Sequence, residues 1–246
     1  KRASGQQLPK IHSLPSEYKE NLQAGSDGKV HVSFNSIFTP PEEAAVYAEQ
    51  HAVNKNEPLY FVVFPQADTA LSELLVAGYQ KLLENNFWGL TNSTQEAKDL
   101  MSRYGNTGLE LYAHSRGSMT LGNMLYSFQQ QGVHGIANEN TNIKFFGPAA
   151  NASATAGLLG YASDGKQTTI ELENHADDFV GVMIGGNPAT FYKRPPGSNA
   201  MKEIGKVLFG YPSPHLCYGI ASKACQNDYG LPHSIQIPSS KSWSKK

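Results

Sequence analysis

Ser115 stands in the stretch Ala113-His114-Ser115-Arg116-Gly117, between the apolar run LELYA and the segment SMTLGNMLYSF. A serine hydroxyl is a poor nucleophile at neutral pH. It becomes one when a base lies within hydrogen-bond reach and when donors await the developing oxyanion. A sharp strand-to-helix turn flanked by small residues presents a hydroxyl in that way, and its first oxyanion donor is the backbone N–H of the next residue, here Arg116. The same five residues also suit an ordinary turn that contains a serine. The choice between the two rests on whether an acid and a base follow in the right places.

In triads built on such a turn the chain order is serine, acid, histidine. The segment IELENHADDFV supplies Asp177 and Asp178 directly after an apolar-alternating run. Asp178 is preferred as the group that orients the imidazole, with Asp177 as the alternate; the other of the pair would cap the following segment. Beyond them lie His215, in YPSPHLCYG, and His233, in YGLPHSIQIP. The loop around His215 is crowded with proline, glycine and aromatics that can fix an imidazole, so His215 is the preferred base and His233 the alternate. His114 reads as a packing residue on the other side of the turn, and His175 as a group behind the site or at the surface. His175, Asp177 and Asp178 do not form a recognised ligand spacing, so neither a metal nor another cofactor is expected. A second oxyanion donor is expected from the loop after an earlier strand, at the backbone N–H of Ser36 or Ile37 in VHVSFNSIFTPPEE.

These residues need elements to hold them. KVHVSF (29–34), PLYFVVFP (58–65), LELYAHS (109–115), NIKFFGPAA (142–150) and TTIELEN (168–174) read as strands, by alternation or by continuous apolar runs. TPPEEAAVYAEQHA carries proline and glutamates at its start, and DTALSELLVAGYQKLLENN places Leu71, Leu74, Leu75, Gly78 and Leu82 on one face. NSTQEAKDLMSRYG opens on a capping pattern and ends in glycine, and SMTLGNMLYSFQQQG is amphipathic; these four read as helices. Strands alternating with helices predict an α/β fold with a mostly parallel central sheet and helices on both faces, reactive groups lying at the carboxyl ends of the strands. Residues 1–28 are polar and read as an arm, leaving 29–246 as one domain; after Asp178 the chain reads as rich in loops.

Composition removes some classes. The 246 residues carry a net charge of −1, and no window is apolar enough for a membrane span. With a pI near 6.8 there is no basic patch to argue for nucleic acid. Cys217 and Cys225 could close a short disulfide suited to an oxidising compartment, with two free thiols as the alternative. The chain begins KRASGQQLPK, without initiator methionine or signal sequence, which leads one to expect a piece of something longer.

FNSIFTPPEEAAVYAEQ, LLENNFWGLTNSTQEAKDLMSRYG, AHSRGSMTLGN and SPHLCYG together resemble the α/β-hydrolase-like C-terminal effector domains of large bacterial filamentous haemagglutinin and contact-dependent inhibition proteins. The likeness covers roughly residues 30–225, and NHADDFV is similar to the acid region of class 3 lipases. It departs from them at Ala113 and Ser36, where glycine is usual. The resemblance implies a Ser115–His215–Asp178 triad in a lipase- or phospholipase-like toxin domain. Such a domain is carried at the cell surface in a larger protein, delivered into neighbouring bacteria and neutralised by a cognate immunity protein. Two rival expectations stand beside it: an esterase or amidase with a non-lipid substrate, and a non-catalytic adhesion or protein-binding relative in which Ser115 has no base. A nuclease is disfavoured by composition and motifs alike.

Overall fold

The computed structural model describes residues 11–14, 21–34, 58–62, 91–208 and 213–242. Seven strands form one sheet: β1 (Ile11–Leu14), β2 (Val30–Phe34), β3 (Leu59–Val62), β4 (Leu109–His114), β5 (Thr141–Phe146), β6 (Thr169–Glu173) and β7 (Ile235–Pro238). Their order is β1-β3-β2-β4-β5-β6-β7; β7 pairs antiparallel to β6, and every other pairing is parallel. The fold is therefore α/β with a mostly parallel sheet. NSTQEAKDLMSRYG and SMTLGNMLYSFQQQG fall on α1 (Thr91–Tyr104) and α2 (Gly117–Gln130), and α3 (Ala152–Ala162), after β5, is a helix the sequence reading did not place. The two helices expected in 39–52 and 68–86 lie outside the described residues, as do Ser36 and Ile37.

Register sorts the strand residues onto two unlike faces. Val32, Leu111 and Ile143 stand side by side, as do Phe34, Ala113 and Phe145, and both rows are buried in the core beneath α1, α2 and α3. Leu100 and Met101 of α1, Leu121 and Leu125 of α2 and Leu159 of α3 complete that core. Burying each such side chain contributes about 1.5–3 kcal/mol. The opposite face carries His31, Ser33, Glu110, Tyr112, Asn142, Lys144 and Glu171. His31 Nδ1 pairs with the Tyr112 hydroxyl at 2.8 Å and Lys144 with Glu171 at 3.0 Å, while Glu110 pairs with Lys29, just before β2, at 3.0 Å. Helices on both faces were expected; among the described residues the helices packed on the sheet lie on one face, and the expected helices of 39–52 and 68–86 fall outside those residues. Along β2 and β4 apolar and polar residues alternate, yet His31, Ser33 and Tyr112 of the polar face are buried as well.

Within the polar start that reads as an arm, Ile11–Leu14 pairs with β3, the Leu22 N–H donates to the Tyr104 hydroxyl at 2.8 Å, and the Gln23 N–H to the Tyr60 hydroxyl at 2.8 Å. The segment after Asp178 is less irregular than its prolines suggest. It holds a π-helical turn (Val180–Ile184), α4 (Ala200–Leu208), a 3-10 turn (Pro214–Leu216), α5 (Ser222–Tyr229) and β7. Buried Glu203 ties part of this region together by accepting from Lys206 Nζ at 2.8 Å and the Tyr229 hydroxyl at 3.0 Å. Cys217 and Cys225 are joined, stapling the loop after His215 to α5. Closing so short a loop contributes roughly 2.5 kcal/mol on the chain-entropy account. Among the described residues no helix is long and apolar enough to cross a membrane.

Candidate active site

Ser115 lies at the carboxyl end of β4, where it turns the chain into α2. Its φ is +54°, the left-handed region that side chains other than glycine avoid at a cost of about 1–2 kcal/mol. The conformation is held from several sides. The Ser115 N–H donates to the Phe146 carbonyl at 3.2 Å, and the Ser115 carbonyl accepts from the Ser118 N–H at 3.3 Å and the Ala149 N–H at 3.0 Å. The Ser118 hydroxyl adds a third bond to that carbonyl at 2.6 Å, and it accepts the Ala150 N–H at 3.0 Å. A strained backbone locked this firmly by its neighbours is the kind that functional sites retain. Arg116 is the N-cap of α2, so its N–H sits where the helix dipole is positive.

His215 and Asp178 meet although they come from separate loops. His215 Nδ1 lies 2.9 Å from each carboxylate oxygen of Asp178. An Nδ1–H facing a carboxylate leaves Nε2 as the acceptor of the neutral ring. Asp178 is buried, and Oδ1 also accepts the Val180 N–H at 3.0 Å and the Gly181 N–H at 3.2 Å. It therefore caps the π-helical turn as well as orienting the imidazole, two jobs expected of two different aspartates. The Tyr218 hydroxyl donates to Oδ2 and accepts the His175 N–H at 3.1 Å. Burial by itself would raise the Asp178 carboxyl; the charge of His215 and the bonds from His215, Tyr218 and Gly181 outweigh it and hold the group below its ordinary value. Burial and the adjacent Asp178 carboxylate push the Tyr218 hydroxyl well above its usual range, so it stays a donor.

His114 does not point away from the site, as the sequence suggested. Its ring centroid is 4.5 Å from that of His215, and its Nε2–H donates to the His215 carbonyl at 2.6 Å. The residue before Ser115 thus fixes the backbone of the proposed base and brings the His215 loop against the turn. Ser115 and His215 are 2% and 5% exposed, so the two groups are shielded from bulk water. Gly147, after β5, is required here. With φ +46°, a Cβ at this position would overlap Asp178 Oδ2 and crowd the Tyr218 ring. Tyr218 and Gly147 both escaped the sequence reading, since neither belongs to a motif and each acts only through a neighbour distant in the chain.

The remaining candidates fall elsewhere. Asp177 is buried and faces Arg194 Nε at 3.1 Å. His233 is exposed in the loop before β7. His175 is wholly buried; its Nδ1 accepts the Asp177 N–H at 2.9 Å and its Nε2–H donates to the Lys193 carbonyl at 2.7 Å. Those bonds define a neutral ring, and burial pushes its pKa down in keeping with that. Both ring nitrogens are thereby engaged within the fold. Among the described residues no group of three or more His, Cys, Asp or Glu side chains is placed to hold a metal ion.

No protein-family model matches this chain, and neither the curated proteins nor the solved structures contain a match to it.

Two outcomes follow from this geometry. Ser115→Gly relieves the left-handed strain and Ser115→Ala keeps it, so the glycine variant should unfold at higher urea and exceed the alanine variant by about 1 kcal/mol. An alanine variant at least as stable would show that the turn is unstrained. The pH dependence has a definite sign. His175 and Asp178 both have depressed pKa values in the fold, so the unfolded chain binds more protons than the folded one as the pH drops. Their contribution is complete above the ordinary values of 6.5 and 3.8 and is lost as the pH falls through the folded values. In a Glu96→Gln background, which removes the opposing contribution of a carboxyl that burial raises to about 7, urea unfolding should therefore show stability declining below pH 6.5 and again below pH 3.8. A profile that stays level across the first of these would contradict a buried neutral His175.

Proposed function

We propose that this protein is a serine hydrolase of carboxylic esters with an α/β-hydrolase-like arrangement, acting on lipid esters in the manner of a lipase or phospholipase. The observation that carries the reading is the left-handed Ser115 at the end of a central strand, with the Asp178-held His215 packed against its neighbour His114. The chain order of serine, acid and histidine supports it, as does the position of Asp178 after β6.

In this reading the Ser115 hydroxyl attacks the ester carbonyl while His215 Nε2 takes its proton. The imidazolium that forms is stabilised by Asp178, which stays ionised because of its bonds to Tyr218, Val180 and Gly181. The oxyanion of the tetrahedral intermediate is held by the Arg116 N–H at the α2 N-terminus and by a second donor, the Ser36 or Ile37 N–H. His215 then returns the proton to the departing alkoxide, leaving an acyl group on Ser115. Water, deprotonated by the same imidazole, releases the acid and restores the hydroxyl.

The lipid substrate and the biological setting rest on the resemblance to effector domains. On that reading the domain is secreted or displayed as part of a larger protein, delivered into neighbouring bacterial cells, and countered in the producer by a cognate immunity protein. The Cys217–Cys225 disulfide suits passage through an oxidising compartment. The test is a comparison of bacterial membranes exposed to wild type and to Ser115→Ala. Lysolipid or free fatty acid should accumulate with wild type alone, and the variant should lose at least about 1,000-fold in rate. Unchanged lipids with hydrolysis of water-soluble esters would move the substrate to a non-lipid ester. An undiminished effect of Ser115→Ala on target cells would favour the non-catalytic alternative.

A further inference from the structure

Beside the Ser115 turn, a cleft of about 220 Å³ opens between α2 and α3. Its α2 wall is Met119, Gly122, Asn123 and Tyr126, the i, i+3, i+4, i+7 face of that helix; Leu158 of α3 and Ile184 of the π-helical turn are among the residues that close it. The near end is tied to the Ser115 turn through the backbone: Met119 lies in the first turn of the helix that follows Ser115, and lining residue Ala149 donates its N–H to the Ser115 carbonyl at 3.0 Å. From Met119 to Tyr126 the helix rises about 10 Å, roughly the reach of eight methylenes. The volume exceeds the roughly 150 Å³ of an apolar cavity that admits benzene. One polar feature interrupts the apolar wall. Asn123 is 7% exposed, and its buried Nδ2 has no hydrogen-bond partner. An orphaned amide donor of this kind costs stability and is relieved by an acceptor brought by a ligand.

We propose that the cleft between α2 and α3 receives the acyl tail of the ester attacked at Ser115, a chain of about eight carbons, and that Asn123 donates to an oxygen carried alongside that tail, such as the carbonyl of a second ester. This rests on the hydrolase reading and narrows its substrate to medium-chain lipid esters. Gly122 decides how much room the tail has. A Cβ there would meet nothing nearer than Thr155 Oγ1 at 3.9 Å and the Ala150 Cβ at 4.0 Å, so a larger side chain fits and occupies the cleft. Leucine is also the better helix former, so Gly122→Leu should not destabilise α2.

The experiment measures kcat/KM for p-nitrophenyl acetate and p-nitrophenyl octanoate, with wild type, Gly122→Leu and Ala154→Phe, the last filling the cleft from α3. Each methylene expelled from an apolar site is worth about fourfold. The octanoate-to-acetate ratio should therefore fall at least about tenfold in both cleft-filling variants. In a second arm, Asn123→Leu should lower kcat/KM for dioctanoylphosphatidylcholine by about five- to tenfold relative to p-nitrophenyl octanoate. Hydrolysis of both p-nitrophenyl esters with an unchanged ratio in the two filled variants would overturn the cleft assignment and leave the hydrolase standing. Equal losses on the two substrates in the Asn123 variant would overturn the role of its amide. Failure of wild type to hydrolyse any of these esters would instead bring down the hydrolase reading itself.

Discussion

The arrangement depends on one backbone constraint, the left-handed turn at Ser115. β4 delivers the chain to the end of the sheet and α2 must start at once so that Leu121 and Leu125 reach the core beneath it. A serine forced into this conformation costs free energy, and the cost is met locally by three donors on its carbonyl. Two of them, Ser118 and its own hydroxyl, come from the first turn of α2; the third, Ala149, comes from the loop after β5. The turn thus fastens the β5 loop, which carries the Gly147 that makes room for Asp178. Strain at the serine and space for the acid are set by the same few residues.

On the other side of the site Asp178 is the hub. It receives bonds from a side chain on the last loop, from a tyrosine three residues further on and from two backbone N–H groups of its own turn. A buried carboxylate is tolerable only when its lone pairs are satisfied in this way, and here the partner that lies against both oxygens is His215, the proposed base. The loop that brings His215 is held at both ends of its short run: His114 grips its carbonyl, and the Cys217 disulfide anchors it to α5. Glu173 adds a brace, its carboxylate accepting the Gly219 N–H at 3.4 Å and the Ser234 hydroxyl at 3.3 Å. Asn187 ties the β5 loop to the turn after β6, its Nδ2 donating to the Ala150 and Gly181 carbonyls at 2.9 and 3.2 Å.

Much of this was legible in the chain because it is written locally. The apolar run LELYA, the small residues around Ser115 and the periodicity of the next segment are all contained within 109–130, and they mark β4, the turn and α2 to within a residue or two. The preference for His215 over His233 came from loop composition and that for Asp178 over Asp177 from the Asp-x-Val step it begins, and the structure brings that pair together. What could not be read depends on contacts between distant segments. Tyr218 and Gly147 act only once the last loop has folded back across β5, and His114 was misplaced because strand alternation alone does not say what a loop 101 residues later will bring to it. The strand at Ile11–Leu14 escaped because four residues in a polar context carry little pattern. On one face of the sheet, polar side chains satisfy each other across the strands.

The central claim is that Ser115 is a nucleophile activated by His215. The most direct measurement is the rate of covalent labelling by a fluorophosphonate, followed by intact mass and peptide mapping on wild type and His215→Ala, each shown to be folded by its thermal transition. The account expects one label per wild-type chain, on the peptide containing Ser115, and a rate at least about 100-fold lower without the imidazole. Folded wild type that takes no label, or a His215→Ala variant labelled as fast as wild type, would contradict it.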